Sequence, residues 1–93
     1  MTHQLVWSAH FKRSAERFIR KHRDLAHKLD VVVSQLETDP TDPRLKLHPL
    51  LGGLSGFQAA SLGHKFRIVL QIDDESKEIT LVDIGSHDEA YGG

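Results

Sequence analysis

Between Phe66 and Asp73 the side chains alternate: Phe66, Ile68, Leu70 and Ile72 fall on one face, Lys65, Arg67, Val69 and Gln71 on the other. A period of two marks a strand with one covered face. The same pattern predicts strands over residues 57–62 and 77–84, joined by Gly63-His64 and by Asp74-Glu75-Ser76, with Gly85 ending the last one. The C-terminal third is therefore a three-strand meander. Gln4–Trp7 is a short apolar run that predicts one more strand, at an edge or as a parallel partner.

Between these segments the period lengthens. Phe11, Ala15, Phe18, Ile19 and His22 share one face at helical spacing, so residues 9–23 predict an amphipathic helix with Ser8 as its cap. Asp24 is expected to cap a second helix with the stripe Leu25, Leu29, Val32, Val33 and Leu36. Its run of three valines has poor helix propensity, so packing must hold it. Asp39-Pro40 and Asp42-Pro43 end that helix, because the residue before a proline avoids helical geometry. So short a joint predicts a helical hairpin. Residues 44–51 read as an extended or turn segment, and Gly52, Gly53 and Gly56 as a loop. The order is β-α-α-β-β-β, an α+β domain over residues 1–93, with the helices on one face of a small, twisted, mainly antiparallel sheet. The other face, carrying Arg67, Gln58 and Ala60, is expected to be available.

Charge sharpens this picture. Residues 1–30 hold seven Lys and Arg against three acids, and the remaining residues five against ten. The basic side chains Lys12, Arg13, Arg17, Arg20 and Lys21 occupy the outer side of the first helix. On charge alone a solvated face is the simpler account; a phosphate-binding patch is the sharper one. With no cysteine there is no disulfide framework or thiolate chemistry. No apolar run approaches a membrane span, and the N-terminus lacks a signal-peptide pattern, so a cytoplasmic location is expected.

Seven histidines raise the question of a metal, but His22 and His27 are five apart, off the spacing that places two ligands on one helix face. No metal and no cofactor is expected. Nucleophile elbows and phosphate loops are absent as motifs. General acid–base chemistry is left: histidine moves protons near neutral pH, arginine holds anionic charge, and an aromatic ring stacks on a base. His87, Arg67 and Tyr91 are those three types, all in the meander or its tail.

The ordered set of β-α-α-β-β-β, the Asp-Pro turn, HPLLGGLSGF, HKFRIVLQID and LVDIGSHDEAY resembles the RelE/ParE superfamily of type II toxin–antitoxin toxins, from Leu5 to Tyr91. In its ribonuclease branch (RelE, YoeB and YafQ types) the resemblance implies entry into the ribosomal A site and cleavage of mRNA without a metal. There the 2′-OH attacks the adjacent phosphate. It also implies a cognate antitoxin that wraps the toxin in a hetero-oligomer. By the same resemblance Arg67 stabilises the transition state, His87 is the general acid, Tyr91 stacks on or orients the nucleotide, and His48 is the candidate general base. The departures are Gln58 and Ala60 where RelE has lysines, and Ser61 and Lys65 where YafQ has a histidine and an acid. Lys65, His64 and Lys46 are then the candidate phosphate contacts, with Arg13, Arg17 and Arg20 gripping ribosomal RNA. Two alternatives stay open: a ParE-like inhibitor of DNA gyrase, and a catalytically degenerate member that only binds its antitoxin.

Overall fold

A computed structural model describes residues 3–86. Strand β1 (Gln4–Trp7) leads into helix α1 (Ala9–Lys21), whose first turn is closed by Ser8: its hydroxyl accepts the Phe11 N–H at 3.0 Å. Phe11, Ser14, Ala15 and Phe18 form the buried stripe of α1. The helix stops two residues before the predicted boundary because His22 leaves helical geometry, and a tight turn of 3₁₀ helix, Arg23–Leu25, follows. Asp24 lies inside that turn and caps nothing; helix α2 (Ala26–Thr38) begins without a side-chain cap. Two of its three valines are held by burial: Val32 and Val33 point into the core with Leu29 and Leu36, while Val31 is half-exposed.

Asp39 ends α2 and accepts from the Thr41 N–H and hydroxyl. Asp42 then caps a second short turn, Pro43–Leu45, which drives Leu45 into the core at 2% exposure. The extended segment predicted beyond it is a two-residue strand, β2 (His48–Pro49). Strands β3 (Gln58–Leu62), β4 (Phe66–Asp73) and β5 (Glu78–Ser86) form the meander. β5 runs through Gly85, which pairs with Arg67, so the glycine does not terminate it.

The five strands lie in the order β1-β5-β4-β3-β2. Only β1 and β5 pair in parallel; every other pair is antiparallel. The helices cover one face, with α1 chiefly against β5 and α2 against β3. Phe11, Leu36, Leu62, Ile68, Leu70, Ile79 and Leu81 are fully buried between the layers.

Register corrects one expectation. Gln58 faces Leu70 and Ala60 faces Ile68 across β3 and β4, so both belong to the helix-covered face, and Ala60 is wholly buried there. The β3 residues that share the Arg67 face are Ala59 and Ser61, the partners of Val69 and Arg67. That face is also partly roofed: Leu50, Leu54 and Phe57 from the glycine loop pack on Ala59, Val69 and Val82 as a second apolar cluster.

One irregularity breaks the meander. Between the pairs Leu70–Leu81 and Ile68–Ile84, β4 has one residue and β5 has two. This β-bulge leaves Val82 packed with Val69, while Asp83 meets α1.

Candidate functional site

On the partly roofed face, β2 brings His48 to the edge of the sheet as the partner of Ala59, and β4 brings Arg67 from the same side. Both line one surface depression of about 510 Å³, together with Pro49, Leu50, Leu51, Gly53 and Leu54. The His48 ring is fixed by its own chain: Nδ1 lies 2.9 Å from the Lys46 carbonyl oxygen. A carbonyl only accepts, so Nδ1 carries the hydrogen, and in the neutral ring the lone pair is on Nε2. Lys46 can aim its carbonyl this way because it adopts a left-handed conformation, φ 50°, an uncommon choice for a residue with a Cβ. Arg67 is half-buried, and burial pushes its guanidinium pKa down from the ordinary value. Arginine nevertheless stays charged near neutral pH, so the depression presents a fixed cation near an imidazole able to accept a proton.

A second depression, about 320 Å³, lies before the start of β2, between α2 and the end of β3. Lys46 and His64 line it with Lys28, Arg44 and Ser61. Arg44 is engaged by the Asp42 carboxylate at 2.8 Å, whereas Lys46 and His64 are exposed to solvent. Lys65 is exposed in the β3–β4 turn. Since Lys46 also supplies the carbonyl that holds His48, the two depressions adjoin through one segment of backbone.

The α1 arginines are on the other layer. Arg13, Arg17 and Arg20 are exposed along the outer side of α1, away from the His48–Arg67 depression. Arg17 reaches Ser14 Oγ at 3.4 Å and lines a third cavity, about 290 Å³, with His10, Lys21, His22, Phe66 and Asp83. Strand and helix periodicity did not single out His10 or Asp83. The available signal was the spacing Ile79, Leu81, Ile84, which breaks strand alternation by one residue and marks a bulge. His87 and Tyr91 lie outside the described residues. Among the described residues no group of three or more His, Asp or Glu side chains gathers as a metal-binding set, and no helix is long and apolar enough to cross a membrane.

Residues 3–92 match the family described as "Bacterial toxin of type II toxin-antitoxin system, YafQ". The chain belongs to the YafQ toxin family. A metal-bound toxin from Helicobacter pylori is 33% identical, with 96% of this chain and 98% of that one covered and a TM-score of 0.77. YafQ from Escherichia coli strain BL21(DE3) superposes with a TM-score of 0.81 at 18% identity, over 97% of this chain and 99% of that one. The toxin of the E. coli DinJ-YafQ toxin-antitoxin complex gives 0.79 at 20% identity, over 99% and 100%. No curated protein sequence matches the chain. The two helices on a five-strand mixed sheet are thus the YafQ and RelE-like architecture, and the chain is a type II toxin.

Proposed function

We propose that this toxin is a ribosome-dependent endoribonuclease that cuts mRNA in the A site and so stops translation. The observation that carries the reading is the shared depression of His48 and Arg67, with His48 oriented by the Lys46 carbonyl. His48 Nε2 removes the proton from a ribose 2′-OH. The 2′-oxygen attacks the adjacent phosphorus, and Arg67 neutralises the charge that gathers on the phosphoryl oxygens. The bond from phosphorus to the 5′-oxygen then breaks. His87 delivers a proton to that oxygen, leaving a 2′,3′-cyclic phosphate and a free 5′-hydroxyl. Tyr91 stacks on the nucleotide being cut. Lys46, His64 and Lys65 contact flanking phosphates, and Arg13, Arg17 and Arg20 engage ribosomal RNA from the other layer.

An imidazole and a guanidinium held in one depression serve phosphoryl chemistry, and a gyrase inhibitor would have no need of them. The partner is a cognate antitoxin in a hetero-oligomer, by analogy with the DinJ-YafQ complexes whose toxin shares this fold. Mapping mRNA 5′-ends after induction tests the reading: new ends bearing 5′-hydroxyls are expected with the wild type and not with H48A, R67A or H87A. Replication arrest with intact mRNA would refute it in favour of gyrase inhibition.

A further inference from the structure

The β-bulge gives β5 one residue more than β4 and bends the strand locally, and beyond it the outgoing end of β5 pairs only with the β4 residues Phe66, Arg67 and Ile68 among the described strands. Asp83 is placed to fix it. Its Oδ1 accepts the Ile84 N–H at 2.8 Å and lies 3.3 Å from His10 Nε2 on α1. His10 Nε2 is also 3.3 Å from the hydroxyl of Ser14, a side chain only 5% exposed, which in turn accepts from Arg17 at 3.4 Å. Both Asp83 and Ser14 approach the same ring nitrogen, so the three side chains form no nucleophilic relay, which needs the two nitrogens in different roles.

We propose that His10 and Asp83 are a positioning pair that anchors the outgoing end of β5 to α1 and steadies the Gly85–Arg67 pair against the helix layer. The inference rests on the nuclease reading for its consequence, and on geometry for the pair itself. An ionised carboxylate only accepts, so the contact needs a hydrogen on His10 Nε2. The imidazolium and the neutral Nε2–H form both supply it; the neutral Nδ1–H form turns a lone pair toward the carboxylate. The charged and titratable groups around the ring are Asp83 from β5, Arg17 and Lys21 from α1, and His22 at the end of α1. Protonation makes the contact a charge-assisted one. The side chains of His10 and Asp83 are 57% and 29% exposed, so the pair adds little to stability and its effect falls on geometry. One residue, Ile84, separates Asp83 from Gly85, the partner of Arg67, and His87 follows two positions later in the sequence. A misplacement of about 1 Å at reacting groups can cost up to about 100-fold in rate.

The test is single-turnover cleavage of mRNA on programmed ribosomes. H10A and D83N are expected to lose roughly 10-fold in kcat with KM changed less than about twofold, and the double variant to be no slower than the slower single one. H10Q, which restores an amide donor, is expected to recover part of the rate lost in H10A. Wild-type kcat in both H10A and D83N, with R67A inactive, would overturn the pair and leave the nuclease reading standing. Should the wild type not cut at all, the nuclease reading fails, and the pair is judged by NMR. The Gly85 amide and the Arg67 Nε–H should then move in H10A and D83N relative to the wild type and return toward it in H10Q. Their invariance in H10A and D83N would overturn the pair on its own.

Discussion

The Lys46 carbonyl oxygen and His48 Nδ1 stand 2.9 Å apart, and this contact decides which ring nitrogen of His48 can take up a proton. H48A should therefore lower cleavage by about 10² to 10⁴, the usual worth of a general base. Single-turnover rates on programmed ribosomes provide the check; an undiminished rate in H48A would assign the base elsewhere.

Lys46 holds His48 through its carbonyl, and its ammonium is the proposed phosphate contact. K46G keeps the carbonyl and removes the cost of a left-handed lysine, roughly 1 kcal/mol before the added chain entropy of glycine is subtracted. We expect thermal stability to be equal or higher and kcat to be kept. Ribosome affinity should weaken, with the salt slope falling by about one ion. K46P, by contrast, cannot adopt φ 50° and should distort the His48 segment.

The α1 arginines should behave differently. Replacing Arg13, Arg17 and Arg20 together by alanine should raise the apparent KM. Its salt dependence should flatten by up to about one ion for each phosphate no longer neutralised, since every neutralised phosphate releases condensed counterions. Turnover at saturation should hold, because these side chains are on the layer opposite the His48–Arg67 depression. Titration of cleavage against potassium chloride measures both effects; a fall in saturated turnover would contradict the separation.

The hairpin between β4 and β5 carries its own acid sensitivity. N–H groups of Ser76 and Glu75 donate to Asp73 and hold its carboxyl below the usual carboxylate range. A folded-state value below the unfolded one means that the contribution is present above the ordinary carboxylate value and is lost as pH falls through the folded one. D73N should flatten the acid side of the stability curve, read from thermal melts across the acidic range. Equal slopes in the two proteins would show that the turn does not contribute.

At the centre of the sheet, L81A should cost about 2–5 kcal/mol, because Leu81 is fully buried immediately before the bulge. Urea unfolding with the m-value monitored gives the figure, and a cost below about 1 kcal/mol would mean that the layers repack around the gap.

Much of this architecture is legible from periodicity. β1 and β4 appear where the pattern puts them, because each strand carries uninterrupted alternation or a compact apolar run. The end of α1 is less legible, since Arg23 is a good helix residue and only the backbone of His22 shows the break. The expected face for Gln58 and Ala60 is wrong because neither residue type declares its side; only the pairing with Leu70 and Ile68 does so. For the candidate site, strand alternation places Arg67 and the surrounding motif places His48. The Lys46 contact depends on a left-handed backbone that no composition signals in a lysine. His10 and Asp83 are 73 positions apart in sequence and meet only because a bulge turns one of them toward the helix layer.

The place of β5 between β1 and β4 also has a meaning for the newly made chain. The first strand has no neighbour in the sheet until residues 78–86 have been synthesised, and α1 lacks its main packing surface until then. Contacts between segments so distant in sequence are slow to form. A nascent toxin thus lacks the β1–β5 and β4–β5 pairs, and Gly85 opposite Arg67, while most of its sequence has already been translated. If the toxin cuts mRNA on ribosomes as proposed, the order of the strands keeps its site incomplete until nearly all of residues 1–86 have been made.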